Sequence, residues 1–291
     1  MIQELVIISG KGGTGKTSMA ASLAFLAKNK VIADCDVDAA DMHLVLQPEV
    51  KQSTVFEVGL KASIGRDICK SCGECLRYCR FDAISDDFVV DPISCEGCGV
   101  CAHFCPHEAI EMKRHMSGKW FVSDTRHGPL VHAQLGIAEG NSGKLVTLIK
   151  KKAREIATEK GHELVIVDGS PGTGCPVIAT VSGASLVLIV TEPTVSGMHD
   201  LRRVLELARH FNVRTAVCVN KADINPDNVA AIEAFCSNNG IPIAGAIPYD
   251  TDVTRAQIAG KSVVEHSNGQ AARAIKTTWN TISEILSGTS Q

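Results

Sequence analysis

The chain has 291 residues, 45% of them hydrophobic, which is enough for one large α/β domain or for a domain with a small additional module. A formal net charge of -3 gives no general attraction to nucleic acid, and no nucleic-acid partner is expected. No segment approaches the roughly 20 apolar residues of a membrane-spanning helix, and the sequence begins in a strand pattern rather than a charged leader. We therefore expect a cytoplasmic protein without a stable membrane anchor, in which the 12 cysteines serve as metal ligands rather than disulfides.

The first predicted strand, residues 2–8, runs into a glycine-rich loop that fits the phosphate-loop pattern G-x-x-x-x-G-K-[ST]. A helix is predicted directly after it, over residues 16–28. Glycines allow backbone N–H groups to converge on phosphate oxygens. Lys16 is predicted to contact the outer phosphates of ATP, and the Thr17 hydroxyl to bind Mg²⁺. The candidate nucleotide-binding residues here are Gly10, Gly12, Gly13, Thr14, Gly15, Lys16, Thr17 and Ser18.

A second lysine in this loop, Lys11, is not needed by an ordinary phosphate loop. The segment K-G-G-T-G-K-T resembles the deviant Walker A box of the MinD/ParA family, which includes the nitrogenase iron protein and the Mrp cluster carriers. In that family this lysine crosses a dimer interface to the partner's nucleotide. The resemblance implies a catalytic Lys11 and a homodimer, or a heterodimer with a paralogue, formed through the nucleotide face. A lysine solvated on the loop is the alternative.

The second predicted strand, residues 31–35, leads into an acidic segment that contains Asp36 and Asp38. Carboxylates crowded beside a phosphate loop are costly unless a cation or a water network uses them. By resemblance this segment is the family's first switch, in which an aspartate orients the attacking water. Asp36 and Asp38 are the two candidates, with Asp38 slightly favoured, and a solvated acidic turn is the alternative.

Two cysteine runs of the form C-x₂-C-x₂-C-x₃-C come next, one starting at Cys69 and the other at Cys95. In bacterial ferredoxins this spacing places three thiolates on one cubane cluster and sends the fourth to the other cluster. The spacing therefore predicts two [4Fe-4S] clusters. Their ligands are Cys69, Cys72, Cys75 and Cys105 for one cluster, and Cys95, Cys98, Cys101 and Cys79 for the other.

The segment around these runs, residues 62–111, resembles a bacterial-type two-cluster ferredoxin. It is an internal repeat in which Gly73 matches Gly99 and Tyr78 matches Phe104. Zinc is the competing metal, but zinc sites favour paired knuckles from separate segments. We expect residues 61–113 to form an inserted ferredoxin-like domain, and residues 1–60 and 114–291 to form a discontinuous P-loop ATPase domain.

After this module, a strand is predicted over residues 119–123. Residues 124–144 read as a long glycine-punctuated connection before a helix that begins near residue 141 or 142. His127 and His132 are interpreted as polar loop residues.

An apolar strand over residues 164–168 ends at Asp168, the Walker B pattern, which is placed to hold Mg²⁺ through water. The segment that follows resembles the second switch of the MinD/ParA family, in which a glycine N–H senses the γ-phosphate, and Gly172 is the candidate. Cys175 is interpreted as a partly buried small residue, with a thiolate at a dimer-interface metal as the alternative.

Strands over residues 185–190, 214–219 and 241–247 alternate with helices over residues 199–210 and 225–237. This alternation predicts an α/β fold, a mostly parallel sheet with helices on both faces, which carries the inserted α+β ferredoxin module. Asn220 opens an N-K-x-D segment. In the deviant Walker relatives the asparagine holds adenine together with a later loop, here around Pro248 and Tyr249. ATP is favoured, and GTP stays open because Asp223 is present.

A last helix over residues 271–286 is expected to pack on the sheet rather than on a membrane, because its apolar face lacks flanking lysines and arginines. As a whole, the chain resembles MinD-superfamily ATPases with an inserted ferredoxin domain. That implies an ATP-hydrolysing iron-sulfur protein that couples nucleotide state to electron transfer with an unidentified redox or iron-sulfur acceptor protein. The alternatives are an Mrp-like cluster carrier and a MinD-like spatial organiser.

Overall fold

A computed structural model of the protein describes residues 2–136 and 142–288. The chain divides into two compact units. The smaller unit is formed by Thr54–Lys119 and a return segment that begins at Leu135; the larger unit contains the N-terminal and C-terminal portions. The boundaries predicted for the inserted domain fall within two long strands that run from one unit to the other.

The strands of the described residues are β1 Gln3–Ser9, β2 Lys30–Asp34, β3 Glu49–Ile64, β4 Ile110–Thr125, β5 Gly128–Leu135, β6 Leu164–Pro171, β7 Leu186–Thr191, β8 Thr215–Asn220 and β9 Ile243–Ile247. The helices are α1 Lys16–Leu26, α2 Met42–Leu46, α3 Glu74–Tyr78, α4 Val100–His103, α5 Ser142–Lys160, α6 Cys175–Val181, α7 Val195–His210, α8 Pro226–Asn238, α9 Thr251–Ile258, α10 Val263–His266 and α11 Gln270–Ser287.

The strands form a sheet in the order β3-β4-β5-β2-β6-β1-β7-β8-β9. From β5 to β9 each neighbouring pair is parallel, as the alternation of strands and helices predicts. The central strand β1 is buried from Leu5 to Ser9 and pairs with β6 and β7. The fold class predicted for the main domain is therefore confirmed. Since parallel strands all end at the same edge, the loops after β1, β2, β6 and β8 meet there.

Helices cover both faces of the sheet, which explains its continuous apolar strands. Helices α1, α10 and α11 pack in one core cluster with alternate residues of the strands, such as Leu5 and Ile7 of β1. On the opposite face, α5 packs on β2 and β6, and α6 packs on β6 and on α5.

The last helix, α11, contributes Ala271, Ile275, Ile282 and Leu286 to the core cluster that also contains α1 and α10. It also packs on β9, so its predicted packing against the sheet is confirmed. No helix in the ranges 2–136 and 142–288 is long and apolar enough to cross a membrane.

The prediction of a long connection over residues 124–144 was wrong, because Gly128–Leu135 forms strand β5 beside β2. His132 lies within this strand rather than in a loop. It is buried, stacks on Phe121, and its Nε2 lies 3.0 Å from Ser123 Oγ. Burial lowers the pKa of His132 to about 4, so its ring is neutral at pH 7 and tolerates the apolar surroundings. Helix α5 begins at Ser142, as expected, and residues 137–141 of the predicted connection lie outside the described residues.

Candidate functional site

The phosphate loop joins β1 to α1 at the centre of the sheet edge. Gly13 and Gly15 adopt left-handed φ values of 79° and 87°, which only glycine takes without cost. A Cβ at Gly15 would overlap Nδ2 of Asn220, and a Cβ at Gly10 would overlap Asp200 of α7. By contrast, positions 12 and 13 have no described atom within 4 Å of an added Cβ. The loop is thus closely packed at Gly10 and Gly15 and open at Gly12 and Gly13.

Lys16 is buried between two carboxylates from neighbouring strands. Its Nζ lies 2.8 Å from Asp36 Oδ2, after β2, and 3.1 Å from Asp168 Oδ1, in β6. Burial works to lower the pKa of Lys16, but the charges of Asp168 and Asp36 outweigh it and raise the pKa. Lys16 is therefore a charged ammonium held by the two carboxylates that lie closest to the loop.

Two buried carboxylate oxygens at this site, Asp34 Oδ2 and Asp168 Oδ2, have no hydrogen-bond partner among the described residues. The register pairs Asp34 with Asp168 across β2 and β6. Burial, followed by the charge of Asp168, raises the pKa of Asp34 well above its ordinary value. An unpartnered carboxylate oxygen beside a phosphate loop is a ligand suited to Mg²⁺, so Asp168 could hold the predicted magnesium ion.

The two candidates in the acidic segment differ in position. Asp36 is buried and contacts Lys16, whereas Asp38 is exposed. Burial raises the pKa of Asp36, opposed by the charge and hydrogen bond of Lys16. The geometry thus brings Asp36, rather than Asp38, to the phosphate loop.

Lys11 contacts Glu192, a residue that the sequence analysis did not single out. The Lys11 Nζ lies 3.2 Å from Glu192 Oε2 and 3.3 Å from Ser196 Oγ, and Glu192 Oε1 lies 2.5 Å from Lys221 Nζ. Burial favours the neutral form of Glu192, but hydrogen bonds from Lys221 and Lys11 outweigh it and lower its pKa. Glu192 directly follows β7, the strand that pairs with β1, and so lies at the same sheet edge as the loop. This position is the signal by which the sequence could have identified it.

The segment after β6 forms a hydrogen bond with the end of β1, directly before the phosphate loop. Gly172 has φ 89°, and its N–H donates to Ser9 O at 2.8 Å, so this donor is engaged within the chain. Cys175 begins α6 and is exposed, so its interpretation as a partly buried residue was wrong.

The predicted base-binding loops, after β8 and β9, lie together. Asn220 Nδ2 donates to Thr14 O of the phosphate loop at 2.8 Å. Asp223 Oδ1 accepts a 2.6 Å hydrogen bond from the N–H of Tyr249, which follows Pro248 and is half exposed. The two loops are thereby joined beside the glycine-rich loop.

In the smaller unit, the two cysteine runs fold alike. Gly73 and Gly99 cap α3 and α4 with φ values of 82° and 76°. Asp82 and Glu108 share left-handed φ values of 48° and 50°. Tyr78 and Phe104, which are equivalent in the repeat, stack with ring centroids 4.3 Å apart. The repeat seen in the sequence is therefore also a repeat of backbone conformation.

Each half of this unit contributes to two cavities lined by cysteines. One cavity is lined by Cys69, Cys72, Cys75 and Cys105, and the other by Cys79, Cys95, Cys98 and Cys101. The sulfurs of Cys79 and Cys105 accept backbone hydrogen bonds from Ala83 N at 3.4 Å and Ala109 N at 3.3 Å. Four cysteine sulfurs around a cavity, with N–H···S bonds, fit the [4Fe-4S] clusters that the spacing predicts. Across the described ranges, no three His, Cys, Asp or Glu side chains are grouped to hold a single metal ion.

The larger unit thus contains a glycine loop between a buried strand and a helix, a lysine at its end, and a carboxylate on the adjacent strand. This arrangement defines the chain as a P-loop nucleotide-binding protein. A sequence profile described as the CobQ/CobB/MinD/ParA nucleotide binding domain matches residues 5–263. The chain therefore belongs to this family and is a P-loop ATPase of the MinD/ParA type.

The chain is also similar to several known proteins in sequence or in fold. An uncharacterized protein of Methanocaldococcus jannaschii is 38% identical over 291 residues, which cover 98% of each chain. The cell division ATPase MinD of Pyrococcus furiosus superposes with a TM-score of 0.61 at 16% identity, covering 98% of this chain and 100% of that one. The cytosolic Fe-S cluster assembly factor Nubp1 homolog of Drosophila sechellia is 25% identical over 126 residues, or 36% of this chain and 40% of that protein.

Proposed function

We propose that this protein is an ATP-hydrolysing iron-sulfur protein that couples nucleotide state to electron transfer with a protein acceptor. The observation that carries the proposal is the pair of cysteine-lined cavities in a chain that also contains a complete phosphate loop. When bound, two [4Fe-4S] clusters would supply one-electron carriers. A reducing cytoplasmic compartment is part of the proposal, because it keeps the ligand thiols free of disulfides.

For nucleotide binding, we assign Lys16 to the outer phosphates and Thr17 and Asp168 to Mg²⁺. Lys16 would exchange its two carboxylates for phosphate oxygens, which leaves Asp168 for the metal shell and Asp36 or Asp38 for the attacking water. The N–H of Gly172 would have to leave Ser9 O to reach a γ-phosphate, which would make that bond a nucleotide-sensitive contact.

ATP is proposed over GTP because the carboxylate that could select guanine is engaged. Asp223 Oδ1 accepts the Tyr249 N–H at 2.6 Å, so a guanine edge would have to share that oxygen with a backbone donor. Competition between ATP and GTP for the purified protein would test this preference. Displacement of bound ATP by an equal concentration of GTP would contradict it.

Dimerisation through the nucleotide face is proposed from Lys11. In the single chain, Lys11 is neutralised by Glu192 and has moderate exposure, so it would have to leave this ion pair to reach a partner's nucleotide. Sedimentation with and without ATP should show an ATP-dependent dimer, and Lys11→Ala should remove the dependence. Glu192→Gln is the matched variant, since it releases Lys11 and should favour the dimer.

The main test is anaerobic purification with iron and acid-labile sulfide analysis, followed by EPR of the dithionite-reduced protein with and without Mg-ATP. About eight irons and eight sulfides per chain are expected from two cubane clusters, together with a spectrum that changes when ATP binds. A colourless protein, or one that binds zinc instead of iron, would overturn the proposal. An EPR spectrum that does not change with ATP would contradict the coupling between nucleotide state and the clusters.

Cluster delivery is a second candidate function, supported by the partial similarity to Nubp1 homologues and by the exposure of Cys72 and Cys98. Rapid, ATP-dependent transfer of iron to an apo-acceptor would favour it over electron transfer. The MinD neighbours leave spatial organisation as a third candidate, which ATP-dependent sedimentation with lipid vesicles would support.

A further inference from the structure

The smaller unit offers a comparison within one chain, because its two cavities are built from equivalent positions. Both are lined by four cysteines, and the sulfurs of Cys79 and Cys105 accept equivalent backbone hydrogen bonds of 3.4 and 3.3 Å. The differences therefore lie in the other lining residues. We call the cavity of Cys69, Cys72, Cys75 and Cys105 the first cavity, and that of Cys79, Cys95, Cys98 and Cys101 the second cavity.

Three pairs of equivalent lining positions are occupied by different chemistry. Lys70 lines the first cavity where Glu96 lines the second. Glu74 in the first corresponds to Val100 in the second, and His107 in the first corresponds to Phe81 in the second. Both linings are mostly apolar, and they differ in charged residues: the first cavity has Lys70 and Glu74, whereas the second has Glu96 alone.

Neighbouring charges modify this difference without removing it. Glu74 in the first cavity lies 4.0 Å from Arg77, which offsets its charge. Near the second cavity, Lys61 Nζ donates to Cys95 O at 2.7 Å and Arg80 follows Cys79 in sequence, but neither side chain lines the cavity. Asp91 lies near Lys61 and weakens its effect. Among the residues that line the two cavities, the difference between Lys70 and Glu96 remains.

We propose that the lining of the first cavity gives the cluster it would hold the higher reduction potential. An electron shared between the two clusters would therefore rest on the cluster of the first cavity. An added electron is negative charge, which a nearby lysine stabilises and a nearby carboxylate destabilises. Transfer from the second cavity to the first oxidises one site and reduces the other by one electron, with no proton or bond change. This inference rests on the proposed iron-sulfur function.

The test is a mediated redox titration of the anaerobic holoprotein, followed by EPR. Two one-electron midpoint potentials are expected. An equilibrium constant of about ten or more for electron transfer between the clusters corresponds to a separation of at least about 59 mV. Lys70→Glu should lower only the higher midpoint, and Glu96→Lys should raise only the lower one. Lys70→Gln and Glu96→Gln should shift the same midpoint potentials by a smaller amount. These neutral variants keep the test valid if a charge reversal impairs folding. Asp86→Asn, an exposed change that lines neither cavity, should leave both midpoints in place.

The outcomes separate this inference from the function on which it rests. A protein that retains no iron contradicts the proposed function itself. If the iron and sulfide counts are complete but the two midpoints coincide, or do not respond at positions 70 and 96, the inference is wrong while the proposed function stands. If Glu96→Lys moves the higher midpoint, the order of the two cavities is the reverse of the one proposed.

Discussion

Asp34 is a carboxyl group whose burial works against the stability of the nucleotide-free protein. Its Oδ1 accepts the Asp36 N–H at 3.1 Å, while its Oδ2 lacks a hydrogen-bond partner in the described part of the chain. Burial and the charge of Asp168 raise its pKa well above the ordinary 3.8. The folded chain thus binds this proton more tightly than the unfolded chain does. Stability is therefore lost as the pH rises from about 4 toward the raised value.

We predict that Asp34→Asn stabilises the nucleotide-free protein by roughly 1–3 kcal/mol at neutral pH, because asparagine keeps the Oδ1 acceptor and carries no charge. The gain should shrink as the pH falls through about 4, because the wild-type carboxyl becomes protonated in the unfolded state as well. Urea denaturation across pH in the absence of Mg²⁺ measures it. Asp41→Asn, at an exposed aspartate, should show no such gain. Parallel pH curves for the Asp34 variant and the wild type would contradict the prediction.

At the scale of residues, the sequence predicts the position of a functional side chain where the fold of the backbone alone determines that position. Lys16 and Asp168 meet because a phosphate loop and an adjacent parallel strand end at one edge. The choice between Asp36 and Asp38 depends on the turn after β2, and spacing does not specify it. Glu192 belongs to no known motif, and only its position directly after β7, at the same sheet edge, marks it in the sequence.

At the scale of elements, the phosphate loop depends on its close packing against α7. A Cβ on Gly10 would overlap Cβ of Asp200 and lie 3.0 Å from its carbonyl carbon, and a helix backbone cannot move aside as a flexible side chain would. We predict that Gly10→Ala destabilises the protein by about 1–3 kcal/mol through overpacking and weakens ATP binding by displacing the loop. Calorimetry of the nucleotide-free protein and equilibrium binding of a fluorescent ATP analogue measure the two effects.

Gly12→Ala is the matched control in the same loop. An added Cβ there meets nothing within 4 Å in the described structure, so nucleotide-free stability should change by about 0.5 kcal/mol or less. Its ATP affinity should nevertheless fall, because the open side of the loop is where phosphate would approach. Equal destabilisation by the two substitutions would show that the contact with α7 does not govern the loop.

Elements with apolar or motif-bearing patterns could be predicted, and those with polar patterns could not. β1, β6 and β7 are buried on both faces and read as continuous apolar runs. β3 and β4 carry many exposed polar residues, so their length of 16 residues each was not foreseen. β5 was mistaken for a loop because Gly128 and His132 resemble loop residues. In fact Gly128 has φ 123° and lies against Lys30 O, a close approach that favours glycine.

At the scale of the whole molecule, the two units have separate cores of very different composition. The larger unit has an extensive aliphatic cluster. In the smaller unit, Cys75, Cys95 and Cys101 make up half of the buried cluster, with Ala62, Ala83 and Ile84 as the rest. A core this small does not support a stable fold by its apolar area alone, so its stability should come from bound clusters.

We predict that anaerobic calorimetry of the holoprotein shows two transitions and that the double substitution Cys75→Ser and Cys101→Ser removes the one that belongs to the smaller unit. Serine is a poor cluster ligand and places a hydroxyl in that core, whereas the larger unit keeps its own cluster of aliphatic side chains and should still bind ATP. Cys175→Ser, at an exposed cysteine of the larger unit, should leave both transitions unchanged. Loss of ATP binding in the double variant would contradict the independence of the two cores. The same single thermal transition in the wild-type protein and the double variant would contradict it as well.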